Sequence, residues 1–230
     1  MKRTIALFLV IAIPAAASAD FGWYTNNTSF GNAAANAGYL LWGTETFEEN
    51  LATEYGTMPD PLDYGVPSAP LWPNGLEEKM TLQANTLGGY PSQPSPRGTD
   101  EALFVVPFGT GMGETSDLVF NNVFNDSLDL VFTGYGGYYA VGFAPSVIFG
   151  LNPVTVRVYG MDQTLLGETT AATNIDGSAF IGVVSDVLIG RINVNSPSNG
   201  SECADSIQLW VPEPASLLLL GFSALLLRRR

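Results

Sequence analysis

Apolar and polar residues alternate with a period of two along several stretches of the chain. Val154, Val156 and Val158 fall on one side of such a stretch, with polar or amphipathic residues between them. This period is typical of a β-strand with one buried face, because successive side chains point to opposite sides of the strand. Similar alternation occupies residues 128–133 and 206–211.

The stretch from 188 to 194 has a less regular pattern. Strict alternation places Leu188, Gly190, Ile192 and Val194 on one face. It places Ile189, Arg191 and Asn193 on the other. Shorter or weaker strands are predicted at residues 44–48, 80–86, 102–108, 139–143 and 179–184.

Turn-forming residues separate the predicted strands, and no helical stripe of ten or more residues is evident in the body. Examples are Gly134–Gly137 and Asp176–Gly177, where glycine supplies conformations that other residues avoid. Residues 20–41, 57–75 and 91–96 are rich in Asn, Ala, Gly or Pro and are expected to form loops or arms. We therefore predict an all-β protein built as an antiparallel β-sandwich, jelly-roll-like in form.

The amino-acid composition excludes several kinds of catalytic and metal-binding site. The chain has 230 residues, no histidine and one cysteine. Catalysis by Ser-His-Asp or Cys-His, histidine metal ligands, thiolate metal clusters and intrachain disulfides are therefore excluded. The net charge of −13 argues against nucleic acid as a partner. Cys203 is predicted to be a free thiol in a polar loop.

The N-terminus has the layout of a secretory signal peptide. Lys2 and Arg3 precede an apolar run of about nine residues, and small residues follow up to Ala17 and Ala19. The chain is expected to be exported through the Sec translocon and to be cleaved by signal peptidase before Asp20. An apolar run of this length is well short of the ~20 residues of a membrane span.

The C-terminus combines three features in a fixed order. Pro212, Glu213 and Pro214 precede a Leu-rich segment of 13 residues, from 215 to 227, and Arg228, Arg229 and Arg230 end the chain. As a helix this segment rises only ~20 Å, so it is a marginal membrane anchor. The arginines are expected to remain cytoplasmic.

This tail resembles the PEP-CTERM sorting signal. The resemblance implies recognition by an exosortase, a short C-terminal hydrophobic helix held transiently in the inner membrane, and delivery to the cell surface or extracellular matrix. It also implies an association with exopolysaccharide. Such tails have also been described as ice-binding, but no regular Thr-rich repeat supports that here. The predicted organisation is a signal peptide (1–19), a sandwich domain (20–210) and a sorting signal (211–230).

The second half resembles a domain common among PEP-CTERM proteins, which implies a jelly-roll-like body. The matching segments are 139–143, 153–160, 165–167, 180–182, 189–192 and 205–209, with an early strand at 45–48. Related sandwiches occur as carbohydrate-binding modules. Without its ends the chain has 21 acidic and four basic residues, a net charge near −17.

Acidic residues on the first and last strands are the candidate metal ligands. In sandwiches of this type Glu45, Glu48 and Asp205 are expected to lie close together and to bind a structural Ca²⁺, which prefers six to eight oxygen ligands. The alternative is that all three are solvated surface charges. A pair of acids could also serve a glycosidase, but no feature of the sequence singles out such a pair.

Aromatic residues in or near the predicted loops are candidates for stacking on sugar rings, or for packing the loops onto the sandwich. They are Tyr64, Trp72, Tyr90, Tyr135, Tyr138 and Tyr139. The function predicted from the sequence is a non-enzymatic, exported surface or matrix protein. A carbohydrate-binding module is the alternative, and an extracellular hydrolase is the less favoured one.

Overall fold

The computed structural model describes residues 21–48, 56–65, 75–85, 103–106, 118–121, 127–148, 153–196 and 200–213. The signal-peptide residues Ala17, Ala19 and Asp20, and the tail from Pro214 to Arg228, Arg229 and Arg230, lie outside this part. So do Trp72 and Tyr90. Among the described residues, no helix combines the length and apolar character needed to cross a membrane.

Thirteen strands and one α-helix make up the described part of the chain. In chain order they are β1 (Gly22–Tyr24), α1 (Asn27–Asn36), β2 (Tyr39–Glu45), β3 (Gly56–Met58), β4 (Leu62–Asp63), β5 (Met80–Asn85), β6 (Leu103–Val106), β7 (Leu118–Asn121), β8 (Ser127–Phe132), β9 (Tyr138–Ile148), β10 (Val154–Gly160), β11 (Leu165–Ala171), β12 (Ile181–Asn195) and β13 (Ser201–Pro212). Every strand pairing is antiparallel, which confirms the predicted all-β class.

The strands form one continuous sheet that folds over itself into two layers. The front layer contains β1, β9, β13, β2, β7, β6 and β3, and the back layer contains β11, β10, β8, β5 and β4. Strand β12 belongs to both layers. Its residues 181–184 pair with β9 and β1, whereas residues 189–195 pair with β8 and β10.

The apolar core lies between the layers. Val156 and Val158 of the back layer and Val141 and Leu209 of the front layer are fully buried in a single cluster. The predicted phases of β8, β10 and β13 are confirmed, because Leu128, Leu130, Phe132, Val154, Val156, Val158, Ile207 and Leu209 all belong to this core.

The predicted phase of residues 188–194 is wrong at its start. Tyr159 pairs with Arg191 but Gly160 pairs with Ile189, so Gly190 is an extra residue in β12. This β-bulge reverses the alternation, and Ile189 joins Ile192 in the core while Leu188 is only half-buried. A Cβ on Gly190 would lie 2.9 Å from the Gly160 carbonyl oxygen, so the bulge requires glycine.

The region expected to be a loop from 20 to 41 contains β1, α1 and the start of β2. The Asn26 side chain caps the helix by accepting the Ser29 N–H at 3.0 Å. Gly38, with φ of 80°, ends it. Strands β3 and β4 likewise lie in the Pro-rich region where no strand was expected. Cys203 lies within β13, fully buried, so its assignment to a polar loop is also wrong.

The last strand extends into the predicted sorting signal. Pro212 pairs with Tyr39, and the N–H of Glu213 donates to the Gly38 carbonyl at 3.0 Å. The expected boundary after residue 210 therefore falls inside β13. Two of the three residues of the Pro-Glu-Pro motif are part of the folded body.

Candidate functional site

A pair of glycines determines where the helix sits on the front layer. Gly142 of β9 and Gly182 of β12 are direct cross-strand partners on the side facing away from the core. A Cβ on either residue would come within 2.5–2.7 Å of the Phe30 ring of α1. The missing side chains therefore create a seat for Phe30, which is fully buried and contacts Phe180 at a ring-centroid distance of 5.5 Å.

The seated helix brings its N-terminus over strand β13. Asn27 is the first residue of α1, and its Oδ1 accepts a hydrogen bond of 3.1 Å from Nε2 of Gln208. Gln208 lies on the outer face of β13, opposite the buried Leu209. Each amide retains further donor and acceptor capacity, because a side-chain amide offers two donors and two acceptor lone pairs.

A bulge in β13 shapes the neighbouring wall. Asp205 pairs with Ala144 and Gln208 with Gly142, so three steps along β13 match two steps along β9. Ser206 takes up the extra residue with a φ of 51°, and its N–H donates to Asp205 Oδ1 at 2.6 Å. Bulges often re-aim side chains beside functional sites.

The loop before β12 forms the opposite wall and is held by its own side chains. Ser178 N–H donates to Asp176 Oδ1 at 2.9 Å, and Asn174 Nδ2 donates to Ser178 Oγ at 2.7 Å. Ser146 of β9 anchors the loop by donating to the Asn174 carbonyl at 2.8 Å. The hydrogen bonds from Ser178 lower the pKa of the Asp176 carboxyl below its ordinary value.

These three parts enclose an open cleft of about 290 Å³ on the outer face of the front layer. The described residues that line it are Thr25, Asn26, Asn27, Ala144, Gly177, Ser178, Ala179, Phe180, Ser206 and Gln208. None of them is ionisable. The cleft thus combines one aromatic ring with hydroxyl and amide groups, which can donate to and accept from the vicinal hydroxyls of a small polar ligand.

The outer face of the back layer has the opposite character. Asp129 of β8, Asn85 of β5, and Arg191 and Asn193 of β12 are all fully buried there. Arg191 Nη1 lies 3.0 Å from Asp129 Oδ1, and the amides of Asn193 and Asn85 each donate to the same carboxylate at 2.8 Å. We refer to these four residues as the Asp129 network.

The Arg191 guanidinium is held on two further sides. Its Nε donates to Gln163 Oε1 at 2.9 Å, and its central carbon lies 3.9 Å from the centroid of the Tyr159 ring. Burial raises the pKa of the Asp129 carboxyl, because desolvation outweighs the opposing effects of Arg191 and the amide donors. The network therefore places an ion pair, Asp129 with Arg191, in the interior of the protein.

The three predicted calcium ligands lie on neighbouring segments of the front layer. Glu45 is buried at the end of β2, which pairs with β13, and its two carboxylate oxygens accept the N–H groups of Phe47 and Glu77, both at 2.8 Å. Asp205 is buried on β13, and Glu48 is half-buried beyond the end of β2.

The three acids do not form a metal-binding cluster with other such side chains in the part of the chain that the structure describes. Within the described ranges, the structure contains no group of three or more His, Cys, Asp or Glu side chains placed to hold a metal ion. Calcium binding by Glu45, Glu48 and Asp205 stays a prediction.

The predicted aromatic candidates are scattered. Tyr138 is fully buried against Phe132, Tyr139 stacks on Tyr39 with ring centroids 5.3 Å apart, and Tyr64 is exposed. Tyr135 lies in a short 3₁₀ turn. The aromatic ring of the cleft, Phe180, was not among the candidates.

Asn27 and Gln208 were also not predicted as site residues. The alternation around Leu209 does place Gln208 on the outer face, but no local pattern indicates that a helix lies beside it.

Comparisons with known proteins add little. No protein-family model matches the chain, and no curated protein matches it. Among solved structures, the chain is similar to the family 29 carbohydrate-binding module CBM29_1 from Piromyces equi, at 11% sequence identity and a TM-score of 0.32. The match covers 70% of this chain and 93% of the other. This likeness is too distant to carry an argument about function.

Proposed function

We propose that this protein is a non-catalytic carbohydrate-binding protein whose ligand enters the cleft between α1, β13 and the loop before β12. The observation that carries the proposal is the lining of that cleft, which joins the half-buried Phe180 ring to the amides of Asn27 and Gln208. A sugar presents apolar C–H faces and many hydroxyls, and this combination offers a surface for each.

The size of the cleft supports a short binding site. A volume of about 290 Å³ lies near the lower end of the ~300–1,000 Å³ usual for ligand pockets. One or two sugar units would fill it, and a longer chain would continue along the surface. Binding would be weak per site, and attachment to a polymer would then depend on repeated contacts.

The two ends of the sequence support a location at the cell surface or in a polysaccharide matrix, where sugar binding would be useful. We propose that the signal peptide directs export and that the PEP-CTERM-like tail is recognised by an exosortase, which leaves the body at the cell surface or in an exopolysaccharide matrix. An acidic body near −17 stays soluble there.

The binding proposal is tested by screening the purified body, residues 20–213, on a glycan array and measuring the affinities of the hits by calorimetry. Asn27→Ala should weaken binding about tenfold, since a hydrogen bond to a ligand is worth about 1 kcal/mol or more. Asn36→Ala is the matched control, because Asn36 is also an exposed asparagine of α1 but lies at its other end. Equal loss in the two variants, or no binding to any glycan, would contradict the proposal.

The sorting proposal needs a separate measurement in cells. Mass spectrometry of the surface fraction should show a chain that begins at Asp20 and lacks Arg228, Arg229 and Arg230. Surface-located protein that retains these arginines would exclude processing by an exosortase.

A further inference from the structure

We propose that the cleft selects uncharged sugars over acidic ones, and that Asp176 contributes to this selectivity. The inference rests on the proposed function, and it specifies the class of polysaccharide that the cleft accepts. It is carried by the placement of charges in the described residues, which differs sharply between the two layers.

Basic side chains are placed away from the cleft. The described residues include three of them, and none lines it. Arg191 is buried against Asp129, and Arg157 of β10 pairs with Glu168 of β11 at 2.6 Å. Lys79 immediately precedes β5, also in the back layer. A carboxylate, sulfate or phosphate on a sugar would therefore find no guanidinium or ammonium group among the described residues that line the cleft.

Acidic side chains, in contrast, support two walls of the cleft. Asp176 Oδ1 accepts the N–H of Ser178, and Asp205 Oδ1 accepts the N–H of Ser206. Ser178 and Ser206 both belong to the lining. The lowered pKa of Asp176 keeps its carboxylate ionised at neutral pH. Each of the two acids is thus one or two residues along the chain from a serine that lines the cleft.

The two acids differ in whether their charge can be removed without altering the backbone. Asp205 is buried and its carboxylate supports the bulge, so its replacement would alter the backbone. Asp176 is exposed, and an asparagine at this position keeps an oxygen that can accept the Ser178 N–H. Asp176→Asn therefore removes the charge while it preserves the turn.

A second exposed turn supplies a close control. Asp162, between β10 and β11, accepts the N–H of Thr164 at 2.9 Å, two residues further along the chain, as Asp176 does with Ser178. Its pKa is lowered by the same kind of hydrogen bond. Asp162→Asn removes one charge from a similar turn that does not line the cleft, and it leaves the net charge equal to that of Asp176→Asn.

The test uses neutral and acidic oligosaccharides of equal length with the body, residues 20–213. Cellohexaose, maltohexaose and laminarihexaose are the neutral probes, and hexagalacturonate and an alginate hexamer are the acidic ones. We expect the best neutral hexamer to bind at least about tenfold more tightly than either acidic one in 20 mM salt. The ratio should shrink in 500 mM salt, because added ions screen exposed charges.

The variants then assign the effect to a residue. Asp176→Asn should strengthen acidic-hexamer binding about two- to threefold and leave neutral binding unchanged, whereas Asp162→Asn should change neither. Acidic hexamers that bind as tightly as neutral ones would overturn the selectivity while the proposed function stands. Equal responses of the two variants would overturn the role of Asp176. If no hexamer of either class binds and the glycan array is also empty, the proposed function itself fails.

Discussion

The outer faces of the two sheet layers both carry polar residues, but they use them in opposite ways. On the back layer, Asp129 and Arg191 are fully buried and satisfied by one another and by two asparagines. On the front layer, Asn27 and Gln208 border an open cleft and carry no charge. The first arrangement pairs its charges within the protein, whereas the second leaves hydrogen-bonding capacity for a ligand.

The difference shows why a count of charged residues is a poor guide to a binding site in this chain. The two arginines of the described part are both paired with acids, Arg191 with the buried Asp129 and Arg157 with the exposed Glu168. The groups left available for recognition are amides, hydroxyls and an aromatic ring, which occur in any loop. Four experiments test this contrast, beginning with the one that should have the largest effect.

Removal of the Asp129 carboxylate should cause the greatest loss of stability. Asp129→Ala removes the carboxylate that faces the fully buried Arg191 guanidinium and that accepts from the buried amides of Asn85 and Asn193. Breaking a buried pair from one side costs about 3–5 kcal/mol, a large part of the 5–15 kcal/mol that stabilises an ordinary domain. Urea denaturation measures it. Asp162→Ala, at an exposed turn, should change little, and similar losses for both variants would show that the network is solvated.

A methyl group added at Gly182, against the Phe30 ring, should lower both the stability of the protein and its glycan binding. In Gly182→Ala the new Cβ would lie 2.5 Å from the Phe30 ring and 3.1 Å from the Phe180 ring. Overpacking of this kind costs about 1–3 kcal/mol. Because both rings must move, glycan binding should fall together with stability. Unchanged binding by a destabilised variant would show that the packing of Phe30 against the two glycines does not determine ligand binding in the cleft.

A glycine-to-alanine substitution within helix α1 should instead raise the stability of the protein. A Cβ on Gly31 would meet only the Trp210 ring, at 3.8 Å, which is an ordinary contact. Gly31→Ala should therefore stabilise the protein by about 0.5–1 kcal/mol, because alanine loses less backbone freedom than glycine in a helix. Thermal melting checks the sign. Destabilisation would mean that α1 packs more tightly on β13 than the structure shows.

The smallest effect concerns pH and the loop wall of the cleft. The folded-state pKa of Asp176 is lowered from an ordinary value of 3.8 by its hydrogen bonds with Ser178. Its contribution to stability is therefore fully present above pH 3.8 and is lost as the pH falls through the lowered value. The difference in melting temperature between the parent and Asp176→Ala should be constant from pH 7 to about 4 and should shrink below that. A difference that grows on acidification would contradict this assignment.

The sequence predicts the layer architecture well where strands are regular. Val154, Val156 and Val158 alternate without interruption, and all three are in the core. The predicted phase fails at residues 188–190, where Gly190 is an extra residue in β12. The bulges at Gly190 and Ser206 each depend on the partner strand, so the pattern of a single strand does not reveal them, although the predicted phase of Ile207 and Leu209 after Ser206 is correct.

The cleft was unpredictable for a related reason. It requires α1, and the apolar stripe of this ten-residue helix consists of little more than Phe30 and Ala34. The asparagine cap and the run of alanines are helix signals, but the surrounding Asn and Gly residues favour a loop. What fixes the helix is its seat on Gly142 and Gly182, more than a hundred residues away along the chain.

The end of β13 bears on the sorting that we propose for this protein. Pro212 pairs with Tyr39 at the start of β2, and the N–H of Glu213 donates to the Gly38 carbonyl just before it, so these two residues of the Pro-Glu-Pro motif are held by the fold. A processing enzyme that requires the whole motif in an extended form would compete with the final strand for the same residues. Such an enzyme would act fastest on chains whose last strand has not yet paired with the sheet. The rate at which β13 pairs would then limit the time during which sorting can occur.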